Sequence, residues 1–157
     1  MQTLPDNDSD KKDHPAPGKV LHAIGLMSGT SMDGIDVAVI DTDGTRVYKR
    51  GAFATYPYVP ALRKKLAAMA GHKPEADDNV ADVVRDVTDA HADAVEDFCA
   101  RAGLDLKDID VVGFHGQTVF HDPANAITCQ LGDGARLAKR LGICVVNDFR
   151  AADVAAG

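Results

Sequence analysis

An apolar run, Ile24-Gly25-Leu26-Met27, is interrupted by the small polar cluster Ser28-Gly29-Thr30-Ser31-Met32-Asp33-Gly34 and resumes as the alternating Ile35-Asp36-Val37-Ala38-Val39-Ile40-Asp41. A period of two on both sides of a glycine-rich break predicts strand, tight turn, strand over about Val20 to Asp41. Thr42-Asp43-Gly44-Thr45 makes a second turn, and Arg46 to about Tyr56 gives a third antiparallel strand. Beyond Pro57 the period changes. Pro60 suits the first turn of a helix that runs through Ala70 and is closed by Gly71. From Asp77 to Ala102, Val80, Val83, Val84, Val87, His91, Val95, Phe98, Cys99 and Ala102 form one stripe of a long amphipathic helix that stops at Gly103. His91 lies on that stripe and reads as a hydrogen-bonded core residue, not a ligand.

Ile109 to Phe114 is a short β-rich run, with His115-Gly116-Gln117-Thr118 expected as a polar loop beyond its end. Ile127 to Leu131 is a further strand or extended segment. Gly132-Asp133-Gly134 leads into a helix over Ala135 to Leu141 capped by Gly142. Ile143 to Val146 is the last strand, followed by Asn147-Asp148-Phe149-Arg150. Three antiparallel strands followed by helix-linked strands predict an α/β fold: a mixed sheet with helices on its faces. That order matches a ribonuclease-H-like lobe of the actin and sugar-kinase superfamily, in which the first hairpin turn holds ATP phosphates in a cleft between two lobes. Residues 1–19 are polar and proline-punctuated and are expected to be a disordered tail, leaving residues 20–157 as the lobe.

A chain of 157 residues can bury one real core but is short for a two-lobed enzyme. Its net charge of -7 argues against a nucleic-acid surface. No apolar run approaches the ~18 residues of a membrane span, and the N-terminus has no basic patch leading into an apolar segment, so a cytoplasmic protein is expected. Cys99, Cys129 and Cys144 show neither disulfide nor zinc spacing.

The turn carries the candidate chemistry. Gly25, Gly29 and Gly34 remove bulk, and Ser28, Thr30 and Ser31 add hydroxyl donors, so backbone and side chains together can wrap phosphate oxygens. Asp33 and Asp36 would repel a phosphate directly; they make sense with Mg²⁺ and its waters in between. No Gly-Lys-Ser/Thr follows the glycines and no Gly-x-Gly-x-x-Gly opens a helix, so a phosphate site here must be of the hairpin kind.

Ile24 to Asp36, Phe114-His115-Gly116-Gln117-Thr118-Val119-Phe120-His121, Gln130-Leu131-Gly132-Asp133-Gly134 and Val146 to Ala155 occur in an order that resembles the anhydro-N-acetylmuramic acid kinases. The resemblance runs from about Ile24 to Gly157. It implies an enzyme that uses ATP and Mg²⁺ to open a 1,6-anhydro sugar hydrolytically while phosphorylating O6, giving N-acetylmuramic acid 6-phosphate and ADP in peptidoglycan recycling. It places the nucleotide on Gly29, Thr30, Ser31, Met32, Asp33, Gly34, Ile35 and Asp36, with Asp33 and Asp36 toward the metal through water. His115, Gln117, Asp148 and Arg150 go to the sugar pocket, where Arg150 would pair with the lactyl carboxylate. A hydrogen-bonded loop brace is the alternative for His115 and Gln117.

The resemblance also implies a departure. Family members continue past the position of Gly157 into a second lobe, which carries the carboxylate that activates the attacking water; no catalytic residue is therefore expected in this chain. Taken alone, it is expected to be inactive and to expose apolar surface, and so to dimerise, or to need a C-terminal lobe to complement it. Two other readings compete: a non-catalytic nucleotide- or sugar-binding module, and a serine hydrolase, since Ser28-Gly29-Thr30-Ser31-Met32 resembles the serine box of subtilisin-like proteases. The hydrolase reading fails on local structure, because here the serines lead into a β-alternating run and not into a helix.

Overall fold

The computed structural model describes residues 2–3, 18–71, 74, 79–125 and 127–156. Its strands are β1 (Gln2–Thr3), β2 (Leu21–Ser28), β3 (Gly34–Thr42), β4 (Val47–Pro57), β5 (Val111–Asp122), β6 (Ile127–Leu131) and β7 (Cys144–Asn147). The helices are α1 (Pro60–Met69), α2 (Val80–Ala102), α3 (Gly134–Leu141) and α4 (Phe149–Ala156). The sheet order is β1-β4-β3-β2-β5-β6, with β7 also paired to β5. β3 runs antiparallel to both of its neighbours, β2 and β4, whereas β5 runs parallel to β2 and β7 parallel to β5. The mixed α/β sheet read from the sequence is therefore present, with the antiparallel run β2 to β4 ahead of the helix-linked strands.

Strand alternation decides what the sheet buries. Ile24, Leu26 and Ser28 of β2 point inward together with Ile35, Val37 and Val39 of β3, while Gly25, Met27 and Asp36 point out. Onto the inward face pack Leu62, Leu66 and Met69 of α1, Val83, Val87, Val95 and Phe98 of α2, and Leu137 and Leu141 of α3. Two of the helices have visible ends. Gly103 and Gly142 adopt left-handed φ values of 68° and 69° as C-caps of α2 and α3, and the Asp133 carboxylate accepts from the Arg136 amide at the start of α3.

Some expectations change, and others fall on residues outside those described. The cluster His115 to Thr118 does not lie in a loop past a strand end; it is inside β5, which continues through Val119 and Phe120 to Asp122. β5 continues because Gln117 to Asp122 find a second partner, pairing antiparallel with β6 from Leu131 back to Ile127. The long helix is described from Val80, with Asn79 left-handed before it, and its expected start at Asp77 lies outside the described residues. A helix, α4, follows Asp148 where only polar groups past a strand end were read. Of the tail expected over residues 1–19, residues 1 and 4–17 lie outside the described residues; Gln2 and Thr3 pair antiparallel with Phe53 and Ala52 at the outer edge of β4.

Candidate functional site

The turn between β2 and β3 spans residues 29–33 and is closed by a Met32 amide to Gly29 carbonyl hydrogen bond of 3.2 Å. Thr30, Ser31 and Asp33 are exposed. Ser31 Oγ donates to Asp33 Oδ1 at 2.8 Å, and that bond is the main reason the Asp33 carboxyl titrates below its ordinary range. The acid is thus held as an anion at the tip of the turn. Met32 takes a positive φ of 53° and buries its side chain, and Ile35 is 2% exposed. Both were placed on the nucleotide; they can present only backbone groups. Gly34 is required by contact: a Cβ there would lie 2.4 Å from the Tyr56 carbonyl oxygen on β4. Asp36 stands on the outward face of β3 and accepts from Thr55 Oγ1 at 2.6 Å.

Ser28 was read as a phosphate donor, and the structure turns it the other way. It is 1% exposed and lies 2.6 Å from Tyr58 Oη, 2.6 Å from Gln117 Oε1 and 3.1 Å from the Gly34 carbonyl. Gln117, at 0% exposure, donates both amide hydrogens, to the carbonyls of Gly29 (2.8 Å) and Thr118 (2.9 Å). Its amide nitrogen is thereby fixed and Oε1 must accept, so Ser28 donates to it and Tyr58 donates to Ser28. Tyr58 can do so at any ordinary pH, because burial pushes its hydroxyl up to about 12. The Tyr58 amide also donates to the Asp33 carbonyl at 3.2 Å. The chain Tyr58, Ser28, Gln117 therefore ties both ends of the turn to the layer below. Gln117 is a brace, with no amide hydrogen left for a sugar.

A β-bulge turns Gln117 inward. Leu26 pairs with Phe114 but Ser28 pairs with Gln117, so β5 spends one more residue than β2 over this step. Gly116 absorbs it with φ of 72°, and a Cβ there would sit 2.7 Å from the Leu131 carbonyl.

The same bulge aims His115 at a shallow cleft formed with Gly116, Gln130, Gly132, Asn147 and Asp148. Asp148 holds a left-handed φ of 62°, sparsely populated by a residue with a Cβ, and accepts from Asn147 Nδ2 at 2.7 Å. Arg150 Nη2 is 3.5 Å from His115 Nε2, and Arg150 Nη1 is 3.4 Å from His121 Nε2. Of the four residues assigned to the sugar, His115, Asp148 and Arg150 come together and Gln117 does not join them. Tyr58 and His121 were missed: Tyr58 follows Pro57 in no recognisable motif, while His121 stood in a matching string with nothing to distinguish it.

His91 is a core residue, as read, but only half satisfied. Its Nδ1 lies 2.8 Å from the Val87 carbonyl while Nε2 is buried without a partner among the described residues, its ring edge-on to Phe114. Among the described residues neither Ser28 nor Ser31 hydrogen-bonds a histidine, which leaves no geometric basis there for a serine hydrolase. Among the described residues no group of three or more His, Cys, Asp or Glu side chains is placed to hold a metal. An ionised Asp33 at the tip of the turn and an outward Asp36 suit a hydrated Mg²⁺ that takes its other ligands from phosphate.

A glycine- and hydroxyl-rich hairpin turn carried by a mixed sheet with helices packed on it is an arrangement of the α/β class. Comparison with known proteins narrows the class. A family model described as anhydro-N-acetylmuramic acid kinase matches residues 21–157, and the chain belongs to that family. Relatives carrying that name include proteins of Rhodopseudomonas palustris (52% identical over 141 residues, 86% of this chain), Paramagnetospirillum magneticum (51% over 135, 86%) and Agrobacterium fabrum (50% over 146, 89%). The chain spans 39%, 37% and 39% of the length of these three relatives. Among the described residues no helix is long and apolar enough to cross a membrane.

Proposed function

We propose that this chain forms one ribonuclease-H-like lobe of an ATP-dependent kinase acting on 1,6-anhydro-N-acetylmuramic acid in cytoplasmic peptidoglycan recycling. The observation that carries the reading is the braced turn: a family member holds Gly29 to Gly34 in a fixed shape with Thr30, Ser31 and Asp33 facing outward. Fixed donors aimed at phosphate are what phosphoryl transfer asks of a protein, since little covalent chemistry is left for it to do. The backbone of Gly29 to Asp36 and the hydroxyls of Thr30 and Ser31 would cradle the ATP phosphates. Asp33 and Asp36 would hold the waters of Mg²⁺, which when bound neutralises charge developing on the phosphates.

In this reading the acceptor sugar lies against His115, Asn147, Asp148 and Arg150, with its carboxylate toward Arg150. A water adds at the anomeric carbon, the anhydro bond to O6 breaks, and O6 takes the γ-phosphoryl group, leaving ADP. In this reading the base that removes the water's proton belongs to the part of the family's length that this chain does not span.

Titration of the ¹⁵N-labelled chain with ATP and Mg²⁺ tests the reading. The amides of Gly29 to Asp36 should shift together, and ADP release with the anhydro sugar should appear only when the chain is extended to full family length. ATP that leaves those amides unmoved refutes the phosphate turn, and turnover by the short chain near the rate of the long one refutes the need for a second lobe.

A further inference from the structure

The arginines on α3 are neutralised. Arg136 bridges Asp89 through two hydrogen bonds of 2.8 Å, and Arg140 pairs with Asp93 and Glu96. Arg150 is different: among the described residues no carboxylate lies within 4.0 Å of it, and both terminal nitrogens face imidazoles. The tautomers follow from what each partner can donate or accept. His115 Nδ1 is 3.1 Å from the Gly116 carbonyl, which can only accept, so Nδ1 carries the hydrogen and Nε2 offers its lone pair to Arg150. His121 Nδ1 is 3.2 Å from Thr128 Oγ1, a hydroxyl that can donate or accept, so its tautomer is set by Arg150, whose Nη1 can only donate and requires the lone pair on Nε2. The guanidinium is thus spread between two neutral acceptors, at distances near the limit of a hydrogen bond, with its charge uncompensated.

Its place in the fold adds to the imbalance. Arg150 lies in the first turn of α4, where the helix dipole already favours negative charge. Asp148, the nearest acid in sequence, turns its carboxylate to Asn147. The two histidines come from different parts of β5: His115 from the bulge, and His121 from the stretch paired with β6. Together they fix the direction of the Arg150 fork without cancelling its charge.

We infer that His121 is a positioning residue of the acceptor pocket: with His115 it holds the Arg150 guanidinium open to receive the carboxylate of an acid sugar, so that the pocket distinguishes acid from neutral sugars. The inference rests on the acceptor-pocket reading above. It predicts a preference, which a merely structural role of His121 would not move.

The test uses the 157-residue chain, with binding of 1,6-anhydro-N-acetylmuramic acid and of 1,6-anhydro-N-acetylglucosamine, which lacks the lactyl carboxylate, followed through the imidazole resonances. The acid sugar should bind about tenfold more tightly than the neutral one, the scale of one hydrogen bond to a charged group. His121→Phe should lower that ratio several-fold with neutral-sugar affinity unchanged. His121→Gln, whose side-chain oxygen reaches the place of Nε2, should restore it, and Arg150→Ala should abolish it. A wild-type ratio in His121→Phe overturns the role of His121 while leaving the pocket standing. A wild-type ratio in Arg150→Ala, or no imidazole shift with either sugar, overturns the pocket reading and the inference together.

Discussion

Removing the Ser28 hydroxyl should cost far more than the loss of one oxygen atom suggests. Ser28→Ala takes away the acceptor of Tyr58 Oη and the donor to Gln117 Oε1, both at 2.6 Å and both in buried side chains. A buried polar group left without a partner costs about 1–3 kcal/mol, so two of them, partly relaxed, predict a loss of about 2–4 kcal/mol. Tyr58→Phe removes only a donor. Ser28 keeps its bond to Gln117, and the expected loss is about 1 kcal/mol. In the double variant the orphaned hydroxyl is gone, so the combined loss should fall short of the sum of the two single losses by about 1–2 kcal/mol. Urea unfolding followed by far-ultraviolet circular dichroism gives all three values, and an unchanged slope with denaturant shows that the same transition is compared. If the single losses add to within about 0.5 kcal/mol, the hydroxyls are not coupled and the brace described beneath the turn is wrong.

Two further perturbations probe the same layer. Burial pushes His91 down to about 4 from an ordinary 6.5, so between those values the unfolded chain binds a proton that the folded chain refuses. Stability should therefore fall as pH drops from 6.5 toward 4, by about 3 kcal/mol in all, and be unaffected by His91 above that window. Denaturation midpoints at pH 7 and pH 5 for wild type and His91→Leu check this, the variant losing less on acidification; equal slopes would refute it. Gly34→Ala drives a Cβ against the Tyr56 carbonyl at 2.4 Å, a backbone atom that cannot swing away, and should destabilise by about 1–3 kcal/mol and weaken ATP binding at the turn. An alanine variant as stable as wild type would show that β3 and β4 separate there at little cost.

The sequence made the elements legible wherever one period ran long enough. The β2–β3 hairpin and the stripe from Val80 to Ala102 are where expectation and structure agree best, because one face of each is buried along its middle. The period failed at His115 to Thr118. An inserted residue shifts the alternation there, so a polar cluster inside a strand looks like the end of one. Gly116 was visible, but its left-handed φ was not. In the site, exposed residues of the turn could be read from chemistry alone. Which side chains point down could not, because Ser28 turns inward to partners 30 and 89 residues away, Tyr58 and Gln117. Asp148 and Arg150 were readable as polar groups past β7; the helix that sets their spacing was not, since Phe149 to Ala156 carries few large apolar residues.

The brace also has a bearing on the order of folding. A hairpin is ordinarily among the first elements to form, within microseconds, because its contacts are local. Here the Gly29 carbonyl accepts locally from the Met32 amide but finds its second donor on Gln117, 88 residues further along, so the strands of the hairpin can pair early while its turn is not yet fixed from below. The turn takes its final shape only when β5 docks parallel to β2, a non-local step of the slow kind. During synthesis the turn between β2 and β3 emerges near the start of the domain and takes its final shape only after the bulge of β5 has been made. Destabilising changes in β5 should then loosen the turn before they unfold the sheet.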